Sequence, residues 1–119
     1  MPEYLRKEKS MEDLTKEQKY LLLSMYKEVL NRQPALSMEE ANYFEDSNVV
    51  QELILPDQSS DYVSDLCWKL KAKDYIHCTP GDDLANDIAL TDKTIIYMEN
   101  RFKNSIKDIT LFLTNFLPF

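Results

Sequence analysis

Few residues in this chain could carry covalent or metal chemistry: one histidine, His77, and two cysteines, Cys67 and Cys78, among 119 residues. A Cys–His nucleophile pair needs both side chains within hydrogen-bond reach. His77 and Cys78 are neighbours in a β-prone stretch, where successive side chains point to opposite faces, so they cannot form such a pair. The spacing of Cys67, His77 and Cys78 fits no usual zinc pattern. Gly81 is the only glycine, which leaves no glycine-rich phosphate cradle. Acids are abundant, but no pair sits in an apolar setting that would raise a pKa for acid–base work. The residues therefore predict a non-enzymatic protein with no catalytic residue, no metal and no cofactor.

The class follows from length and charge. A chain of 119 residues fits one domain with a single core. Acids outnumber bases 21 to 14, a formal net charge of −7, which disfavours non-specific attraction to nucleic acid. No apolar run is long enough to span a membrane. The opening residues lack the apolar stretch of a secretory signal, so a cytoplasmic protein with reduced thiols is expected.

The elements that position these groups are mostly helical. Residues 1–14 form either a charged tail or a short outer helix. Residues 15–104 make the main domain. Thr15 and Gln18 have the form of a capping box, opening a helix with Leu21, Leu22, Met25, Tyr26 and Val29 on its apolar arc. Pro34 stops that helix near Arg32. Ser37 opens a second helix, which either continues to Ile54 or breaks at residues 46–48. Ser59 or Ser60 caps a third helix whose Val63, Cys67 and Leu70 face inward. Its other face carries Asp61, Asp65, Trp68, Lys69 and Ala72. A hairpin follows, with Pro80 and Gly81 expected at the centre of a type II turn. Thr91 then caps a helix bearing Ile95, Tyr97 or Met98, and Phe102.

Residues 105–119 form an apolar C-terminal helix. Ile106, Ile109, Phe112, Leu113, Phe116, Leu117 and Phe119 share one arc at helical spacing. This helix either folds back on the first one or, as the preferred expectation, builds a homodimer interface through Ile109, Phe112, Leu113 and Phe116.

Two runs carry a family resemblance. Residues 70–76, LKAKDYI, resemble the L-x-x-K-G-Y/L-I ending of winged-helix recognition helices, with Asp74 in the place of a left-handed glycine. Residues 90–99, LTDKTIIYME, resemble the L-T-x-K-G-x-x-Y-L opening of the helix after the wing, with Thr94 replacing glycine. The layout is similar to the small YjcQ-like winged-helix proteins of Gram-positive bacteria and their phages, over about two-thirds of the chain. The resemblance implies an α+β winged helix-turn-helix with a two-stranded wing and additional N- and C-terminal helices.

Winged helices bind DNA, RNA or proteins, so function rests on the residues displayed. From residue 34 to residue 65 there is no Lys or Arg but eight acids: Glu39, Glu40, Glu45, Asp46, Glu52, Asp57, Asp61 and Asp65. The wing adds Asp82, Asp83 and Asp87. Phosphate binding needs cations there. A regulatory module that binds an unidentified protein partner is therefore expected, through Trp68, Asp61, Asp65, Glu39 and Glu40. The alternative is a dimeric DNA-binding transcriptional regulator using Lys69, Lys71 and Lys73, whose other reading is a favourable charge at a helix C-terminus.

Overall fold

The computed structural model describes residues 11–116. The expectations placed on residues 1–10, and on Leu117 and Phe119, lie outside the described residues. Among the described residues, six helices and one two-stranded antiparallel sheet make an α+β fold: α1 (Lys16–Arg32), α2 (Met38–Ala41), α3 (Ser47–Ile54), α4 (Ser60–Ala72), β1 (Ile76–Gly81), β2 (Leu84–Leu90), α5 (Asp92–Phe102) and α6 (Ile106–Leu113). A 3₁₀ turn, Thr114–Phe116, extends α6.

Helix ends follow local chemistry. The Thr15 hydroxyl accepts from the Gln18 amide at 3.2 Å, while the Gln18 side chain accepts from the Thr15 amide at 3.1 Å, so two orphan donors are satisfied at once. Ser37, Asp46, Ser59, Thr91 and Ser105 cap the other helices, each side chain accepting from the backbone amide three residues on. The second helical region breaks into α2 and α3, with Glu45 in a left-handed conformation between them. That break has a use: the Phe44 amide donates to the Ile88 carbonyl at 2.8 Å, and the Ile88 amide to the Glu45 carbonyl at 3.0 Å. The Asn42 side chain bonds both backbone groups of Leu90, at 3.0 and 2.9 Å. Residues 42–45 thus satisfy the edge of β2 that β1 leaves open.

The α4–β1 junction is a Schellman motif. Tyr75 donates its amide to the Leu70 carbonyl and Asp74 to that of Lys71, both at 2.9 Å, while Asp74 adopts φ 68°. The left-handed position expected for Asp74 is present. Thr94 has a different part to play from the glycine it replaces. Lying fully buried inside α5, it donates its hydroxyl to the Tyr75 carbonyl at 2.7 Å.

The hairpin departs from expectation. Pro80 and Gly81 lie inside β1, and the turn is Asp82 and Asp83, with φ 51° and 62°. A two-residue hairpin loop matches strand twist when both central residues have positive φ. Proline, fixed near −65°, cannot do this, whereas aspartate tolerates it. Gly81 instead leaves room for Asn86: a Cβ there would lie 2.8 Å from Asn86 Nδ2, the atom that donates to the Gly81 carbonyl at 2.7 Å, and would make that side chain shift. A bulge opposite Cys78, with Asp87 at φ 51°, then turns Ala85 and Ile88 both inward.

The core runs through α1. Leu21, Leu22, Met25, Tyr26 and Val29 are fully enclosed there, facing Val63, Cys67 and Leu70 from α4 and Ile88 from the sheet. Cys67 and Cys78 are buried free thiols, and burial pushes the Cys67 thiol up to about 12, which makes it unreactive. Tyr26 donates to Asn104 Oδ1 at 2.9 Å and so ties the α5–α6 joint to α1. Burial, with Glu99 second, pushes its phenol up to about 12.

The two positions where the resemblance has glycine should respond oppositely. Asp74→Gly removes left-handed strain and should stabilise the fold by up to about 1 kcal/mol. Thr94→Gly loses a buried hydroxyl bond and adds helix entropy, so it should destabilise by about 2 kcal/mol. Urea denaturation of both variants checks this. Destabilisation by Asp74→Gly would mean that its carboxylate, not its backbone, is what the fold uses.

Candidate protein-docking face

The outward side of α4 carries the residues expected to bind. Asp61, Asp65, Trp68 and Ala72 follow one another at roughly one-turn spacing. Asp61 is exposed on the first turn, where a carboxylate complements the helix dipole. Asp65 pairs with Lys69 at 3.0 Å, both side chains about 60% exposed, an ion pair worth little in water.

Trp68, which the helix wheel puts on the face away from the core arc, lies between exposure and burial. It is half-buried, with one part of the indole against the core. The Lys71 ammonium lies 5.6 Å from its ring centroid. Such a residue presents a rigid, partly desolvated aromatic surface, the form an interface anchor takes.

The start of α3 joins this surface. Its Ser47 hydroxyl meets that of Ser64 at 2.5 Å in the interior, and Ser60 donates to Asn48 Oδ1 at 2.5 Å nearer the surface. These contacts bring the N-terminal turns of α3 and α4 together, with exposed Glu45 and the capping Asp46 beside them. Glu39 and Glu40 are also exposed, but they sit on α2, which packs on α1. The acids grouped by sequence position are therefore spread over two helical surfaces.

The three lysines of the DNA alternative do not form one patch. Lys69 faces Asp65 and Lys71 faces Trp68. Lys73 turns away from both, toward the N-terminal segment: its ammonium donates to the Asp13 carbonyl and approaches Gln18 Oε1 at 3.5 Å. The Tyr75 hydroxyl donates to the Asp13 carboxylate at 2.9 Å, and burial followed by that bond pushes the phenol up. Lys73 thus fastens residues 11–14 to the end of α4. Nothing in the local sequence announces it, because Asp13 belongs to a charged stretch with no periodic signal.

On the opposite side of the sheet-forming region, Asp87 accepts from Thr79 at 2.9 Å and from Tyr43 at 3.0 Å. His77 is exposed and Cys78 buried, as alternate strand positions require. Among the described residues no group of three His, Cys, Asp or Glu could hold a metal ion, and no helix is long and apolar enough to cross a membrane.

The expected dimer residues divide. Ile109 and Leu113 are buried against α1 within the chain, so neither is available to a second copy. The reason is geometric: left-handed Lys103 and Asn104 reverse the chain after α5 and lay α6 back on α1. Phe112 and Phe116 are half-buried, their rings edge-to-face at 5.4 Å, with Phe102 at 5.6 Å from Phe112. Leu111, 59% exposed, was not singled out by the apolar arc yet is its most exposed neighbour. No protein-family model, curated protein or solved structure matches this chain.

Proposed function

We propose that the chain is a non-enzymatic winged-helix regulatory module that acts by binding a protein partner through the acidic, Trp68-bearing side of α4. The order of elements supports the winged-helix reading. A first helix is followed by a short edge segment along β2, two packed helices, and a two-residue hairpin in the place of a wing. On this reading α4 holds the recognition-helix position, and the resemblance to small YjcQ-like proteins is retained.

The observation that carries the reading is the fate of the α4 lysines. Affinity for duplex DNA comes largely from cations that replace condensed counterions. Here Lys73 is held by the N-terminal segment, Lys69 has Asp65 beside it to offset its charge, and Lys71 lies over the indole, so the three do not converge on one surface. The exposed residues at the front of α4 are acidic. A partner with a basic surface and a pocket for an indole fits this face; a phosphate backbone does not. Self-association keeps a narrower basis than the apolar arc suggested, namely Leu111 and Ile106 with the uncovered parts of Phe112 and Phe116.

Two measurements test the choice of partner. Fluorescence anisotropy with duplex DNA should show no complex at physiological salt, and none strengthening as salt falls from about 200 to 50 mM. A sequence-selective complex weakened by Lys69→Ala or Lys71→Ala would replace the proposal with the DNA-binding reading. Capture from native-host extract should retain a partner that Trp68→Ala loses.

The half-buried indole should emit between the exposed and buried extremes and be partly quenched by acrylamide. Trp68→Ala should then cost clearly less than the roughly 3–5 kcal/mol of a fully buried aromatic truncation. A strongly blue-shifted, unquenchable emission would place the indole in the core and remove it as an anchor.

Sedimentation velocity decides self-association. A concentration-dependent dimer split by Leu111→Glu, with an unchanged melting temperature, is expected. A monomer at all concentrations would confine α6 to its own domain.

A further inference from the structure

The outward side of α4 already seats a cation on each of its two acceptors. The Lys71 ammonium lies 5.6 Å from the Trp68 ring centroid, within the distance at which an indole face attracts positive charge. The Lys69 ammonium lies 3.0 Å from the Asp65 carboxylate. Asp65 and Trp68 stand three residues apart on the helix, so their side chains are neighbours, with Asp61 one turn further toward the N-terminus. An aromatic face and a carboxylate therefore sit side by side, and the chain's own lysines rest on both.

Those lysines are weakly held. Lys69 and Asp65 are both about 60% exposed, and Lys71 is exposed as well. Water screens an exposed ion pair until little attraction is left, and an exposed ammonium over a ring gains only slightly more. A cation arriving from outside meets little resistance here.

The surrounding charge favours its arrival. Asp61 is exposed beside Asp65. Burial first and Glu17 of α1 second push the Tyr62 phenol up, so a third carboxylate lies within electrostatic reach of the same turns.

Geometry selects the kind of cation. A guanidinium is planar: it can stack on an indole while its edge N–H groups donate to a carboxylate. Neighbours three residues apart on a helix have Cβ atoms about 5–6 Å apart, a span that one stacked guanidinium bridges. An ammonium is a compact, strongly hydrated charge, and here two separate lysines are needed to serve the two acceptors.

We propose that the Trp68 face recognises an arginine side chain of the partner protein, stacked on the indole with its N–H groups on Asp65, and that Lys69 and Lys71 are intramolecular cations which it displaces. This assignment rests on the protein-docking reading of α4 and names the partner group which that reading leaves open.

Trp68 is the only tryptophan, so its indole N–H gives one signal of its own in a proton–nitrogen correlation spectrum. The test is a titration of the full chain with the peptide acetyl-Gly-Arg-Gly-Arg-Gly-amide and with its lysine and citrulline analogues. The arginine peptide should move the Trp68 indole and Asp65 amide signals saturably. The lysine analogue should bind about threefold more weakly, and neutral citrulline at least about tenfold. Asp65→Asn should weaken the arginine peptide about tenfold, whereas Asp82→Asn, the same charge change at the exposed hairpin turn, should leave it within about twofold. Lys69→Ala and Lys71→Ala, both at exposed positions, should each strengthen it about threefold, the opposite sign from the DNA-binding reading.

Absence of a saturable indole shift up to about 10 mM would overturn the site. Equal affinity for the arginine and lysine peptides would overturn the choice of arginine. Equal losses from Asp65→Asn and Asp82→Asn would reduce the effect to attraction by net charge, and weaker binding in Lys71→Ala would remove the displacement. A host partner lost on Trp68→Ala, without binding of the arginine peptide, would leave the docking face standing and sink the arginine assignment. Peptide binding with no such partner would keep the arginine site and sink its service to a protein.

Discussion

The carbonyl of Tyr75 is the point on which the arrangement of this fold depends. It accepts from the Thr91 amide at 3.1 Å and the Thr94 hydroxyl at 2.7 Å, while the Thr91 hydroxyl, 3.2 Å away, lies nearer the Asp74 carbonyl at 2.9 Å. The same residue ends α4 through its amide, and its phenol holds Asp13. One buried peptide group therefore sets the angle between α4, the hairpin and α5. A carbonyl so placed would be costly to leave unsatisfied, and this makes the junction rigid. Left-handed Asp74 is the conformational condition for that geometry, since only a reversal at this residue brings Tyr75 beneath Thr91 and Thr94.

From this joint the rest follows in layers. β2 occupies the centre, bonded to β1 on one side and to residues 42–45 on the other. Arg32 helps to place that second edge. Its guanidinium donates to the carbonyls of Ala41 and Tyr43 at 3.0 Å and lies 4.6 Å from the Phe44 ring centroid. Covering the α1 side, α6 buries Ile109 and Leu113 while leaving Leu111 in water. The acidic residues are left on the periphery because a carboxylate buried without a partner would be destabilising. Surface charge and internal order thus have the same origin: the interior is filled from α1, α4 and the sheet, and the acids take what remains.

The positive side chains show how tertiary contacts redirect a charge pattern. Lys69, Lys71 and Lys73 alternate in sequence and resemble a small basic cluster. In the folded chain they serve a carboxylate, an indole and a backbone carbonyl in turn. Lys93 behaves similarly, with its ammonium 4.3 Å from the Tyr75 ring centroid and 3.2 Å from the Lys73 carbonyl. Asp65 offsets the charge of Lys69, whereas Lys71, Lys73 and Lys93 keep theirs, so it is the surplus of acids around them that opposes attraction of an anionic partner.

The sequence by itself determined the features whose causes lie within a few residues. The caps at Thr15, Ser37 and Thr91, a serine cap at Ser59 or Ser60, the end of α1 before Pro34, the inward face of α4 and the left-handed Asp74 all rest on local sterics and hydrogen bonding. Only the tertiary structure decided the rest. It moved the turn from Pro80 and Gly81 to Asp82 and Asp83, because strand twist and the bulge at Asp87 set the register. It gave Thr94 a buried carbonyl to satisfy, laid Trp68 half against the core, turned Lys73 toward Asp13, and folded Ile109 and Leu113 inward. Each of these outcomes depends on partners distant in the chain, and periodicity along one helix carries no information about which distant surface will cover it.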